Sequence, residues 1–133
     1  VLDGVNDAIN RFYFSVFKAL NSEDKDDIVN ARDEVKNDVY AILNRRYFWL
    51  KNSYEVTDLD IKIKNSEIDY NGDDYIGNIV VTISYKIKKQ IFGINIKSEE
   101  YKENFFTQIK YENDQWIVCD INNFSLEGLD NIQ

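Results

Sequence analysis

The sequence predicts a single α+β domain, with N-terminal helices packed on one face of a curved antiparallel sheet. Apolar residues recur every three or four positions in the N-terminal part and every second position from about Tyr54 onward. Short polar turns separate the alternating stretches, which is typical of hairpin-linked strands. The length of 133 residues is that of one domain, so residues 1–133 are assigned to one unit.

Two helical segments are expected before the sheet. The first covers residues 5–20 and carries an apolar stripe at Val5, Ile9, Phe12, Val16 and Leu20. The second runs from Lys25 to Lys51, either as one long helix or as two shorter ones broken near residues 30–33. Acidic residues near its start and Arg45 and Arg46 near its end complement the helix dipole.

Four strands are expected, over residues 59–64, 79–88, 101–111 and 116–121. Hairpin turns are predicted at Asn71–Asp74 and at residues 112–115. The stretch 90–100, which contains Gly93, is predicted to be a turn or bulge with extended flanks. The tail after Asn123 is expected to be loose, with Phe124 and Leu126 as the residues that would dock.

The charge balance excludes several classes of partner. Twenty-four acidic residues face sixteen basic ones, giving a formal net charge of −8. This disfavours nucleic acid, whose phosphates need a basic face, and it disfavours loose adsorption to anionic lipid. A local basic patch on one strand face stays open. The longest apolar runs are only a few residues, so we expect no membrane insertion by this segment.

The residue inventory argues against most catalytic chemistry. The chain has no histidine and one cysteine, which excludes the usual Ser–His–Asp and Cys–His arrangements and zinc sites. A Ser–Lys pair remains formally possible. The acidic clusters at residues 24–27 and 69–74 are interpreted as a helix cap and a solvated turn rather than calcium sites. We therefore predict no metal and no cofactor, and Cys119 as a small buried hydrophobe.

Two stretches carry a resemblance to a known superfamily. One is the opening helix, residues 5–20, with the acidic turn at 21–24; the other is the closing hairpin, residues 105–118, in which a polar turn leads into Trp116 and a β-branched pair. Together they resemble the NTF2-like (cystatin-like α+β) superfamily over nearly the whole chain. Residues 46–51, followed by 56–64, are similar to accessory modules of secreted low-GC Gram-positive proteins, which implies an extracytoplasmic or membrane-tethered location.

A pocket is the first candidate site. A cone at the concave face of the sheet would be lined by Phe48, Trp49, Tyr85, Phe105, Trp116 and Asp120. The alternative is that the same rings fill the core. The resemblance implies that a catalytic member would hold an aspartate in an apolar cone, for which Asp120 and Asp38 are candidates, with Tyr40 or Tyr85 as proton donors.

The sequence favours a non-catalytic accessory domain that contacts a protein partner or forms a homodimer. Its contact surface would be an exposed sheet face carrying Val80, Thr82 and Phe106. The alternative function is a small-molecule binder or isomerase-like enzyme with an apolar cavity and a buried carboxylate. A third possibility is a domain that binds peptide along an exposed strand edge at Tyr101–Tyr111.

Overall fold

The computed structural model describes residues 3–132. Its elements are α1 (Val5–Ser22), α2 (Asp33–Arg46), β1 (Tyr54–Asn71), β2 (Asp74–Ile91), β3 (Ile94–Glu112), β4 (Gln115–Ile121) and α3 (Glu127–Asp130). Single 3-10 turns lie at Lys25–Asp27 and Phe48–Leu50. The α+β class is confirmed, and the second helical segment is interrupted near residues 30–33. None of the described helices is both long and apolar enough to cross a membrane.

The sheet is a simple antiparallel meander in the order β1-β2-β3-β4. β1 and β2 each have 18 residues and β3 has 19, so the strands are much longer than their apolar cores predict. The reason is that ladder hydrogen bonds continue through polar and charged residues wherever a neighbouring strand is present. The predicted turns at Asn71–Asp74 and residues 112–115 are confirmed.

The inner face of the sheet carries the core. On β2 the side chains of Ile79, Val81, Ile83, Tyr85 and Ile87 alternate inward and are buried. Helix α1 packs on this face: its Tyr13 ring lies 5.6 Å from that of Phe105, and its Phe17 ring lies 5.8 Å from that of Tyr85. Tyr13 also shares a buried hydrogen bond with Thr107, which satisfies both hydroxyls away from water.

The outer edges of the sheet are protected in part. The loop before α2 pairs with β4, since Val118 N donates to Asn30 O at 2.8 Å and Arg32 N donates to Val118 O at 2.9 Å. At the other edge β1 has register shifts between Thr57 and Asp60 and between Ile63 and Asn65. Irregular, charged edge strands resist pairing with another chain, whereas β3 before Thr107 has no strand on the side of β4.

The C-terminal tail, defined here as residues 122–132, packs against the core, so the expectation of a loose tail is wrong, while the docking expected of Phe124 and Leu126 is confirmed. Phe124, Leu126 and Leu129 are buried, and the Tyr47 hydroxyl accepts a hydrogen bond from Leu126 N at 2.8 Å. Tyr47 in turn donates to Asp130 Oδ1 at 2.9 Å. A tail this short has too few residues to show a period, so its burial depends on partners far away in the chain.

Candidate interaction surface on the outer sheet face

The outer face of the sheet is the one turned away from α1. Its side chains are set by the two-residue period of the strands, because neighbours of inward residues point outward. Val80 of β2 and Phe106 of β3 share this face, as the sequence predicted, and the structure shows that they are direct cross-strand partners. Phe106 is 58% exposed. A large exposed aromatic beside a β-branched residue forms an apolar contact point on an otherwise polar face.

A depression of about 360 Å³ surrounds this pair, here called the outer depression. It is lined by Asn65, Glu67, Asn78, Ile79, Val80, Phe106, Thr107, Gln108, Asp120 and Asn122. Thr82, the third residue of the predicted surface, lies outside it and donates to Asn104 Oδ1 at 2.8 Å. The predicted surface is therefore divided into an apolar end at Val80 and Phe106 and a polar end at Thr82.

Strand register arranges the outer depression in two neighbouring rows. One row runs Asn65, Val80, Phe106 across three strands, and the backbone N–H of Asn122 donates to Phe106 O at its end. The second row runs across four strands through Glu67, Asn78, Gln108 and Asp120. Since strands lie about 4.8 Å apart, the two carboxylates are separated by roughly 14 Å. An apolar row thus lies beside a row of two amides with a carboxylate at each end.

A bulge in β4 places Asp120 on this surface. Gln108 pairs with Asp120 while Ile109 pairs with Val118, so Cys119 is an extra residue in β4. Its Sγ lies 3.5 Å from both Gln108 O and Gln108 Oε1, and burial raises the pKa of the Cys119 thiol. Cys119 is partly rather than fully buried, and its thiol is un-ionised at neutral pH.

The six pocket candidates do not gather around one cavity. Phe48, Tyr85, Phe105 and Trp116 belong to the buried core. Trp49 is instead 65% exposed, and Asp120 is exposed on the outer face. Four of the six therefore fill the core, and the other two lie on the surface.

The acid–base candidates are also placed apart. Asp38 is exposed on α2, and the Tyr40 hydroxyl donates to Glu23 O at 3.1 Å. Tyr85 donates to a carboxylate that the sequence analysis missed, that of Glu103. Burial raises the pKa of Glu103, and it also raises the pKa of Tyr85. The signal for Glu103 was its position two residues before Phe105, on the inward side of β3.

Glu103 and Tyr85 hold the tail rather than an open site. Glu127 N donates to the Glu103 carboxylate at 3.1 Å, and Gly128 N donates to the Tyr85 hydroxyl at 3.0 Å. A methyl group on Gly128 would lie 2.8 Å from the rings of Tyr85 and Tyr101, so only glycine allows this close approach. Glu103 and Tyr85 together hold the tail against the sheet and are a structural latch for it.

The strand edge at Tyr101–Tyr111 is covered only in part, so the third possibility stays a prediction. From Thr107 onward β3 pairs with β4, and the tail contacts the preceding part at Glu103 and Tyr101. Among the described residues, the tail makes no backbone hydrogen bond to the part of this edge that precedes Phe106. The tail packs on side chains of this part of β3 and leaves its backbone edge open to a peptide strand.

Ser15 and Lys18 of α1 have Ser-x-x-Lys spacing, but each has another partner. Buried Ser15 Oγ donates to Phe12 O at 2.6 Å and accepts from Val29 N at 3.0 Å. Lys18 Nζ lies 3.6 Å from Asp27 Oδ1. The hydroxyl joins α1 to the following loop, and no nucleophile–base pair is formed.

The acidic clusters have structural partners. Asp24 Oδ1 accepts from Asp26 N at 2.9 Å and caps the 3-10 turn, as predicted. Asp74 forms an ion pair with Lys110 at 3.3 Å. Over residues 3–132, no group of three or more cysteine, aspartate or glutamate side chains is placed to hold a metal ion.

Comparison with known proteins supports the fold. No family model matches the sequence, and a search of curated proteins finds no match. Among solved structures, the chain is similar to the intermembrane-space region of the chloroplast protein ARC6, with a TM-score of 0.51 and 10% identity. The match covers 87% of this chain and 90% of that one. At this identity the likeness shows the fold alone; NTF2-like kinship and a Gram-positive origin stay predictions.

Proposed function

We propose that this domain is a non-catalytic interaction module that binds a protein partner at the outer depression. The observation that carries the proposal is the pairing of exposed Phe106 with half-buried Val80 inside a depression with a defined polar rim. Interfaces of this kind place an apolar anchor at the centre and hydrogen-bonding groups around it. The buried rings below the sheet keep the surface rigid, which lowers the entropy lost on binding.

The rim specifies the chemistry of the partner. Glu67 and Asp120 lie at opposite ends of one row, with the amides of Asn78 and Gln108 between them. Carboxylates favour lysine or arginine, and side-chain amides can both donate to and accept from a peptide backbone. The fitting partner segment therefore carries an aromatic or aliphatic side chain flanked by basic residues.

The charge pattern favours a different protein over a second copy of the chain. A two-fold pairing places the same patch on both subunits. The row of amides has a carboxylate at each end. Such a pairing therefore brings Glu67 or Asp120 of one copy close to Glu67 or Asp120 of the second copy. The net charge of −8 adds long-range repulsion between copies.

We propose a non-catalytic role because the buried acid–base groups already form hydrogen bonds within the domain. An isomerase-like enzyme needs a carboxylate that faces substrate in an apolar cavity. The half-buried Glu103 has the raised pKa, but its oxygens accept from Tyr85 and from Glu127 N. The ARC6 region lies in an intermembrane space, and an envelope-associated, extracytoplasmic setting is part of this proposal.

The test is selection of phage-displayed random peptides on the wild-type domain. We expect the enriched peptides to carry an apolar residue flanked by lysine or arginine. Their binding should fall at least about tenfold on the Phe106→Ser variant, because burial of a phenylalanine side chain is lost. The matched control is Phe14→Ser, which removes a similarly exposed phenylalanine from α1 and should leave binding unchanged.

Two outcomes would contradict the proposal. One is selection of peptides that bind Phe106→Ser as tightly as the wild type. The other is a concentration-dependent dimer in analytical ultracentrifugation that Phe106→Ser abolishes, since the depression would then be filled by a second copy.

A further inference from the structure

The β2–β3 hairpin ends in an exposed apolar cluster, here called the apolar tip: Ile91, Phe92, Ile94 and Ile96. Phe92 is 98% exposed, and every residue from 91 to 98 is exposed. The tip extends past the last pair between β1 and β2, Tyr54 with Lys89. Four large apolar side chains at the end of a two-stranded ribbon have little of their own domain to pack against.

The turn of the apolar tip has a backbone conformation that is unfavourable for one of its residues. Phe92 and Gly93 have φ of 51° and 76°, the pattern of a two-residue type I′ turn. The β3–β4 turn has the same pattern at Asn113 and Asp114, residues that tolerate a positive φ. A phenylalanine in this conformation is unusual, and here it makes almost no packing contact in return.

The same end of the hairpin is the basic part of an acidic chain. Residues 86–98 contain four lysines and no acidic residue. Lys86 pairs with Asp58 and Lys97 pairs with Glu99. Lys88 faces Glu55 across the β1–β2 ladder and Lys89 lies near Glu99, but within residues 3–132 neither lysine forms a close ion pair. Lys89 and Lys97 are also direct cross-strand partners, and Glu99, whose pKa both lysines lower, is the carboxylate beside them.

We propose that the apolar tip inserts into the interface of an anionic lipid surface, with Lys88, Lys89 and Lys97 at the headgroups. Phe92 leads the hairpin, and Lys89 lies three residues behind it, so the two are roughly 10 Å apart along the strand. Peripheral elements bury their apolar side chains about 5–10 Å into the headgroup boundary, which matches this spacing.

This proposal refines the expectation drawn from the net charge. A charge of −8 describes the whole chain, but charges more than about 10 Å away are largely screened at physiological salt. The field at the tip is therefore set by its own lysines, with Glu55 and Glu99 at its base. Contact through one hairpin also agrees with the lack of a membrane-spanning helix among the described residues.

The test is flotation of the domain with phosphatidylcholine vesicles, with and without phosphatidylglycerol. We expect binding to the anionic vesicles only, weakening as salt rises. Phe92→Asn should reduce binding roughly tenfold or more while keeping the turn, since asparagine adopts a positive φ readily. Lys88→Gln with Lys89→Gln should reduce it by roughly tenfold as well.

Two matched controls isolate the tip. Phe106→Ser removes an exposed phenylalanine elsewhere, and Lys62→Gln with Lys64→Gln removes two lysines from β1; both should float as the wild type does. The proposal is overturned if the wild type does not float with anionic vesicles, in which case a protein groove is the better partner for the tip. It is also overturned if Phe92→Asn, folded by circular dichroism, floats as well as the wild type.

Discussion

The C-terminal tail and the apolar tip are similar in sequence and opposite in structure. Both are short segments with apolar residues around a turn or glycine. In the tail, Phe124 is 3% exposed and Leu129 is fully buried; in the tip, Phe92 is 98% exposed and Ile94 is 67% exposed. Local composition therefore does not decide which apolar segment enters the core.

The difference comes from the partners that the fold provides. The tail lies where Tyr47 and Tyr85 offer hydroxyls to its backbone N–H groups, and where Gly128 fits against two rings. A backbone segment can be buried only when its polar groups are satisfied in this way. The tip lies beyond the β1 terminus at Tyr54, and its four apolar side chains stay exposed.

Truncation of one apolar side chain in each segment should give the largest contrast. We expect Leu129→Ala to lower the free energy of unfolding by about 2–4 kcal/mol, because it leaves a cavity in the core. Ile94→Ala should change it by less than about 0.5 kcal/mol, because the side chain is mostly solvated. Urea denaturation followed by circular dichroism measures both, and equal losses would remove the distinction between tail and tip.

The pH dependence of tail docking should give the second contrast. Burial raises the pKa of Glu103, with the Glu127 and Asp130 carboxylates adding to the effect, while hydrogen bonds from Tyr85 and Glu127 N oppose it. The docked state thus binds the proton more tightly than the free state, whose pKa is 4.5. Protonation of Glu103 therefore stabilises the docked tail fully below pH 4.5. This stabilisation is lost as the pH rises through the raised pKa of Glu103.

Amide exchange at Leu126 and Gly128 measures this effect. After correction for intrinsic exchange, protection of these amides should fall as the pH rises above 4.5, and Glu103→Gln should flatten the profile. Amides in the apolar tip should show no such dependence on Glu103. A wild-type profile that rises with pH, or one that Glu103→Gln leaves unchanged, would show that Glu103 does not latch the tail.

The smallest expected effect is at the turns. Phe92→Asn should stabilise the domain by about 0.5–1 kcal/mol, because a positive φ is unfavourable for phenylalanine and tolerated by asparagine. The reverse change at the matching turn, Asn113→Phe, should destabilise it by about 1 kcal/mol. Thermal unfolding of both variants checks this, and a loss of stability in Phe92→Asn would mean that the ring packs on the domain.

The two-residue period predicted much of the candidate surface. Alternation along β2 assigned Val81 and Ile83 to the core and Val80 and Thr82 to the opposite face, and Phe106 followed from the same parity on β3. The bulge at Cys119 breaks this rule. An extra residue in β4 has no clear signature in the sequence, so the position of Asp120 beside Gln108 could not be predicted.

The sequence by itself determined the fold class, the order of the elements, the outer hairpin turns and the two faces of the sheet. Each of these depends on residues within a few positions of one another, through the helical and strand periods and through turn chemistry. Only the tertiary structure decided the docking of the tail, the role of Glu103 and the exposure of the tip. Those depend on pairs such as Tyr47 with Leu126, which are 79 residues apart and meet only when the whole chain has folded.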